Sequence, residues 1–315
     1  MLNISISQFI KNHKNKKNQI LFHALKSNGI KETKNLIDNF LNEKNSFIFE
    51  SVEKGKIKGR YTILGRNPDY IWEFNRDICK QIKNNKTKIL KSSPKKIIDH
   101  IIENFKFKMP KDLPNISSII SGYFSYDIIR YIEEIPNQCK DDLGIPDVRL
   151  IRPKSLIILD NIEKKIYFIR NFFKEEKVKN YFNAYNNVKA DIENLILLAN
   201  CKNYFERDNK TIKSKVSSNI SKKKYLNNVI KAQKYIKKGD IFQVVLSQRF
   251  KAKLYKDPIE VYKKLRVTNP SPFMYFFNFK DFQIIGASPE ILVRLRDGQI
   301  TIRPIAGTRP RGKNK

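Results

Sequence analysis

The spacing of apolar positions changes period several times along the chain, and each change predicts an element. Residues 1–45 read as helical and lysine-rich, a lead-in to a first domain. Residues 46–52 then alternate as a strand that ends at Glu50-Ser51. Residues 59–68 read as a strand closed by a turn, and the aromatic run 70–74 reads as another. Residues 93–105 carry apolar side chains at helical spacing, with Ser93 as N-cap and Pro94 in the first turn. Residues 119–131 pass from a strand through small residues into a helix, and 141–149 read as a loop. The segments 155–160 and 165–169 form a hairpin across residues 161–164, and 174–200 is one helix. The polar stretch 201–217 is a linker, dividing a first domain (1–200) from a second (218–315).

The second domain opens on a helix, with Tyr225, Leu226, Val229, Ile230 and Ile236 on one face and Gly239 as its stop. Residues 241–250 read as a strand whose odd face holds Gln243, Ser247 and Arg249. Asp257-Pro258 starts a helix well, as cap and first helical residue, and the helix stops before Asn269-Pro-Ser-Pro272. Strands at 273–277 and 282–285 lead into Gly286-Ala-Ser-Pro-Glu290 and a hairpin centred on Asp297-Gly298. Pairing outward from that turn sets Arg296 against Gln299, Arg294 against Thr301, Leu292 against Arg303 and Glu290 against Ile305. Pro304 cannot donate to a ladder, so a bulge or a one-residue shift is expected there. A carboxylate thereby comes beside the Gly307-Thr308 loop, with Arg303, Arg309 and Arg311 close in sequence. That group suits an anionic ligand. An ordinary hairpin ending in a solvated glutamate fits the same residues.

At 315 residues the chain has room for two domains or one large one, and 40% apolar with 30% charged residues suits a globular protein. Its apolar runs are too short for a membrane span, and the N-terminus lacks the features of a signal peptide, which reads as cytoplasmic. Cys79, Cys139 and Cys201 are scattered, suggesting reduced thiols and neither disulfides nor zinc. The formal net charge of +32 raises nucleic acid or an anionic membrane as partners. The charge is spread along the whole chain, however, and lysine outnumbers arginine roughly threefold. With Asn and Ile also abundant, AT-rich codon usage accounts for it, and neither a specific nucleic acid nor a membrane is expected as partner.

Eight strings in order resemble the anthranilate synthase component I family. They are residues 47–53, Gly59-Arg-Tyr61, Gly122-Tyr-Phe-Ser-Tyr-Asp127, Asp141-Asp-Leu-Gly-Ile-Pro146, residues 239–249, Asn269-Pro-Ser-Pro-Phe-Met274, Gly286-Ala-Ser-Pro-Glu290 and residues 303–312. The resemblance implies an α+β fold of large, mainly antiparallel sheets flanked by helices, with the second domain incomplete. It implies a lyase of tryptophan biosynthesis that converts chorismate, with ammonia from a glutamine amidotransferase subunit, to anthranilate and pyruvate. It also implies feedback inhibition by L-tryptophan, and Mg²⁺ on the substrate carboxylate.

Carried over residue by residue, Glu290 resembles the general acid at the departing hydroxyl, a role that asks for burial and a raised pKa. Gln243 stands where water-activating relatives have lysine, and Ala306 where many aminodeoxychorismate synthases have a nucleophilic lysine. Gly307 and Thr308 resemble contacts to substrate oxygens. Glu50 and Ser51, with Asn269, Pro270, Ser271, Pro272, Phe273 and Met274, resemble a tryptophan site between the two domains, with Glu50 meeting the ligand's ammonium. Family members continue beyond a point matching Lys315, and the acidic Mg²⁺ ligands are expected there. On that reading the chain is a fragment, inactive alone, with open strand edges. Aminodeoxychorismate synthase and a non-catalytic tryptophan- or partner-binding remnant are the alternatives.

Overall fold

The computed structural model of the chain describes residues 2–27, 30–53, 56–57, 59–76, 78–201 and 214–305. The chain divides into two compact units, Met1–Asn203 with Val261–Lys315, and Tyr204–Glu260. In chain order the elements are α1 (Ile6–Lys14), β1 (Gln19–Lys26), α2 (Ile30–Phe40), β2 (Ser46–Glu50), β3 (Val52–Glu53), β4 (Lys56–Ile57), β5 (Tyr61–Asn75), β6 (Ile78–Lys83), β7 (Lys86–Leu90) and α3 (Pro94–Asn104). There follow β8 (Ser121–Phe124), a 3₁₀ turn (Tyr126–Tyr131), β9 (Val148–Asp160), β10 (Lys165–Phe172), α4 (Tyr181–Asn200), β11 (Ser217–Ser218), α5 (Lys222–Lys238) and β12 (Phe250–Lys251). The last are α6 (Pro258–Thr268), β13 (Phe273–Asn278), β14 (Gln283–Ser288), β15 (Arg294–Arg296) and β16 (Gln299–Thr301).

The first unit is built on a ten-stranded antiparallel sheet with the order β1-β10-β9-β5-β2-β13-β14, to which β6, β7 and β8 attach. The fold class is therefore α+β, as expected. At its centre β9 is buried at twelve of thirteen positions, as a strand covered on both faces must be. Side chains of β10 alternate between the two faces. Arg170 pairs with Asp191 of α4 and Phe172 meets Phe9 of α1, whereas Tyr167 and Ile169 join a cluster with Phe47, Ile151, Ile158 and Phe277 on the other face. The boundary expected at 201–217 divides the chain differently from the sheet. Strands β13 and β14, assigned by sequence to the second domain, are hydrogen-bonded through β2 into the sheet of the first 200 residues.

Several elements differ from the sequence reading. The lead-in contains β1, an edge strand whose apolar run at residues 20–22 is too short to reveal a period. The strands expected at 59–68 and 70–74 are one strand, β5, whose register against β9 shifts between Pro68 and Tyr70 because proline has no N–H for the ladder. The expected loop at 141–149 ends inside β9, and the helix expected from 174 begins at Tyr181, where the Asn180 side chain caps it.

The second unit contains α5, which is capped by Ser221 and ends at Gly239 with φ +80°, the stop that the sequence predicts. The expected strand 241–250 does not form. Only Phe250 and Lys251 pair, with Ser218 and Ser217, and a strand cannot persist without a neighbour to accept its N–H groups. Phe242 and Val245 are exposed as a result, and α5 has no buried residue. The unit boundary falls within α6, after Glu260.

Gly122 on β8 sits opposite Leu150, and a methyl group there would lie 1.9 Å from the carbonyl oxygen of Arg149. The atoms it would meet are backbone atoms of Arg149 and Leu150, so β8 would have to leave β9. Gly122→Ala is expected to lower stability by about 2–4 kcal/mol in urea denaturation. Ser121→Ala, which removes a buried hydroxyl without a hydrogen-bond partner, is expected to change it by less than about 0.5 kcal/mol.

Candidate functional site

Two regions hold most of the described residues singled out by sequence, and the hairpin is the first. Asp297 and Gly298 have φ of +51° and +76°, the backbone of a tight two-residue turn, and β15 pairs with β16 in the predicted register, Arg294 with Thr301 and Arg296 with Gln299. Four residues beyond each strand the chains stay close. The Ile305 N–H donates to Glu290 Oε1 at 2.7 Å, the juxtaposition that the register implied. The Glu290 N–H donates to Ser288 Oγ at 3.4 Å, and that hydroxyl donates to the Glu290 carbonyl at 3.2 Å, which fixes the bend at Pro289. Glu290 is exposed to solvent, without the burial its expected role requires. Gln243 is exposed as well and belongs to the other unit, while Ala306, Gly307 and Thr308 lie outside the described residues.

The second region joins β2, α6 and β13. Phe276 pairs with Ile48 and Met274 with Glu50, so these four side chains share one face of the sheet. The Val52 N–H donates to the Ser271 carbonyl at 2.9 Å, carrying the contact past the strand end. Glu50, Ser51, Ser271 and Met274 are thus brought together from distant parts of the sequence, within one unit and not between two domains. Met274 and Ser271 are buried, Ser51 is half-buried, and Asn269 and Phe273 are exposed. Pro270 and Pro272 bracket Ser271 in the connection that carries the chain from α6 into β13.

Sequence reading missed the partners of Glu50. Helix α6 starts as expected, with Asp257 Oδ1 accepting from the Ile259 N–H at 2.7 Å. Tyr262 and Arg266, one turn apart on its inner face, both reach the carboxylate. The Tyr262 hydroxyl donates to Oε1 at 2.5 Å, Arg266 Nε to Oε1 at 2.7 Å and Arg266 Nη2 to Oε2 at 2.9 Å. The Glu50 side chain has no exposed surface, whereas Arg266 keeps 19% of its side chain exposed. A buried carboxylate demands such partners, and that demand is the signal that could have pointed to a tyrosine and an arginine at helical spacing. Tyr262 also packs against Phe276 with ring centroids 5.7 Å apart, and Lys263 pairs with Asp38 of α2. Burial, and then the neighbouring Glu50 charge, push the Tyr262 phenol well above its ordinary range.

A cleft of about 230 Å³ is lined by Glu73, Lys80, Arg149 and Asp281 among others, and no candidate site residue lines it. Among the described residues no group of three or more His, Cys, Asp or Glu side chains could hold a metal ion. No helix among them is long and apolar enough to cross a membrane.

Residues 46–315 match the family model described as chorismate binding enzyme. The chain belongs to that family. This chain is 38% identical over 271 residues to anthranilate synthase component 1 of Acetivibrio thermocellus, covering 84% of this chain and 54% of that protein. It is 34% identical over 282 residues to anthranilate synthase component 1 of Pseudomonas aeruginosa, covering 84% and 54%. A crystal structure of anthranilate synthase component I from Streptococcus pneumoniae superposes with a TM-score of 0.66 at 30% identity, covering 78% of this chain and 54% of the other. The chain spans about half the length of the curated relatives it matches.

The Tyr262 shift has a consequence at high pH. Above the ordinary tyrosine value of 10.0 the unfolded chain loses this proton while the folded chain keeps it, so stability falls as pH rises through that range. Tyr262→Phe is expected to make the fall shallower, by about 1.4 kcal/mol per pH unit at most, in urea denaturation between pH 9 and 11.

Proposed function

We propose that this chain forms part of an anthranilate synthase component 1, which converts chorismate and ammonia to anthranilate and pyruvate. What supports the reading is the similarity to component 1 proteins over 84% of the chain, at 38% identity for the Acetivibrio thermocellus relative. The Ile305–Glu290 hydrogen bond agrees with it, since it holds the expected acid beside the chain that leads to residues 306–308.

In this reading Glu290 gives its proton to the departing ring hydroxyl. Gln243, a neutral amide, takes no proton from water and so leaves ammonia as the nucleophile. The methyl group of Ala306 forms no covalent adduct, and Gly307 and Thr308 offer a close backbone and a hydroxyl to substrate oxygens. Mg²⁺ would hold the substrate carboxylate, with ligands from outside the described residues. A glutamine amidotransferase subunit supplies the ammonia, L-tryptophan acts as feedback inhibitor at the Glu50 region, and the enzyme works in the cytoplasm.

Joining this chain to the C-terminal half of the Acetivibrio thermocellus relative and identifying the product from chorismate, ammonia and Mg²⁺ tests the proposal. Fluorescent anthranilate is expected, and Glu290→Gln should lower kcat by about 100-fold or more with a smaller effect on KM. Aminodeoxychorismate with no anthranilate would overturn the reading.

A further inference from the structure

The Glu50 carboxylate is enclosed and already paired, although it is the group expected to receive the ligand's ammonium. A carboxylate accepts about four donors, and three are in place here. With no exposed surface on Glu50, an incoming cation must take the place of a group already there. Tyr262 has nowhere to go, being fully buried beneath Phe276. Arg266 has a retreat, because part of its side chain already faces water and its long stem can carry the guanidinium outward. Only another cation can follow it, since a carboxylate left alone in that position would be strongly disfavoured.

We infer that Arg266 is an internal stand-in for the ammonium of an amino-acid effector, and that the effector binds by exchanging one cation for another on Glu50. The inference rests on the tryptophan reading of this region and adds its regulation. Charge balances in the exchange: two hydrogen bonds from the guanidinium are given up, hydrogen bonds from the ammonium replace them, and Tyr262 keeps its hydrogen bond to Oε1. The apparent affinity is then the intrinsic affinity reduced by the small fraction of molecules in which Arg266 has withdrawn. Arg266 is accordingly a positioning residue that sets the effector concentration at which the site responds. The exchange also selects the ligand class. A ligand with an ammonium competes for Glu50, whereas the same ring with a carboxylate and no amine does not.

Calorimetry on the full 315-residue chain and on Arg266→Lys and Arg266→Gln, each checked for folding by circular dichroism, tests this with L-tryptophan and indole-3-propionate. Arg266→Gln should bind tryptophan about tenfold more tightly than the unaltered chain. Arg266→Lys, which holds Glu50 through one nitrogen in place of two, should gain less. Indole-3-propionate should gain nothing in either variant. Tryptophan binding to the unaltered chain with no gain in either folded variant would overturn the exchange alone, as would an equal gain for indole-3-propionate. Absence of tryptophan binding to all three chains would overturn the tryptophan reading and the exchange with it. Should Arg266→Gln fail to fold, Arg266→Lys decides the matter by the same comparison.

Discussion

The pairing of β13 with β2 closes the largest loop in the first unit, and the placement of both candidate regions follows from it. Closing so long a loop costs entropy that grows only with the logarithm of its length, so a few well-buried side chains suffice to hold it. Phe47, Ile48, Met274, Phe276 and Phe277 are all buried at this junction, each worth roughly 2 kcal/mol. Once the pairing exists, α6 has a surface to lie on, Glu50 is covered, and β14 extends the sheet toward Glu290.

Charge inside the unit is handled almost entirely by arginine. Arg152, 4% exposed, bonds both oxygens of Asp69, reaches Glu175 and lies over the rings of Phe173 and Tyr70. Arg170, equally buried, is shared by Glu176 and Asp191. The planar fork of guanidinium suits such two-sided contacts, and the more strongly hydrated lysine ammonium does not. The net charge of +32 therefore leaves the interior balanced. The arginines that matter are the few aligned with carboxylates across strands and helices, and Arg266 with Glu50 is one more case of the same rule.

Local patterns were legible wherever a cap, a turn or a strong period spoke for itself. The Asp297-Gly298 turn, the Ser93 and Gly239 boundaries and the 155–169 hairpin all appear where the residues place them. The Glu290–Ile305 contact was legible too, because a two-residue turn fixes register several residues away. What could not be read depends on partners remote in sequence. Residues 241–250 alternate as a strand should, yet pairing is a property of two segments, and the described residues supply a neighbour only at Phe250 and Lys251. Tyr262 and Arg266 were invisible for a related reason. Glu50 lies 212 and 216 residues away, and nothing in α6 alone says which carboxylate it will cover.

The complete enclosure of Glu50 carries a kinetic consequence. A diffusing cation cannot collide with a carboxylate that presents no surface, so its arrival waits for the α6 side of the contact to open. Association at such a site is gated by protein motion, which sets it below the diffusional ceiling of about 10⁸–10⁹ M⁻¹s⁻¹ for a small molecule. It should saturate with ligand concentration and stay indifferent to ionic strength, however basic the rest of the surface.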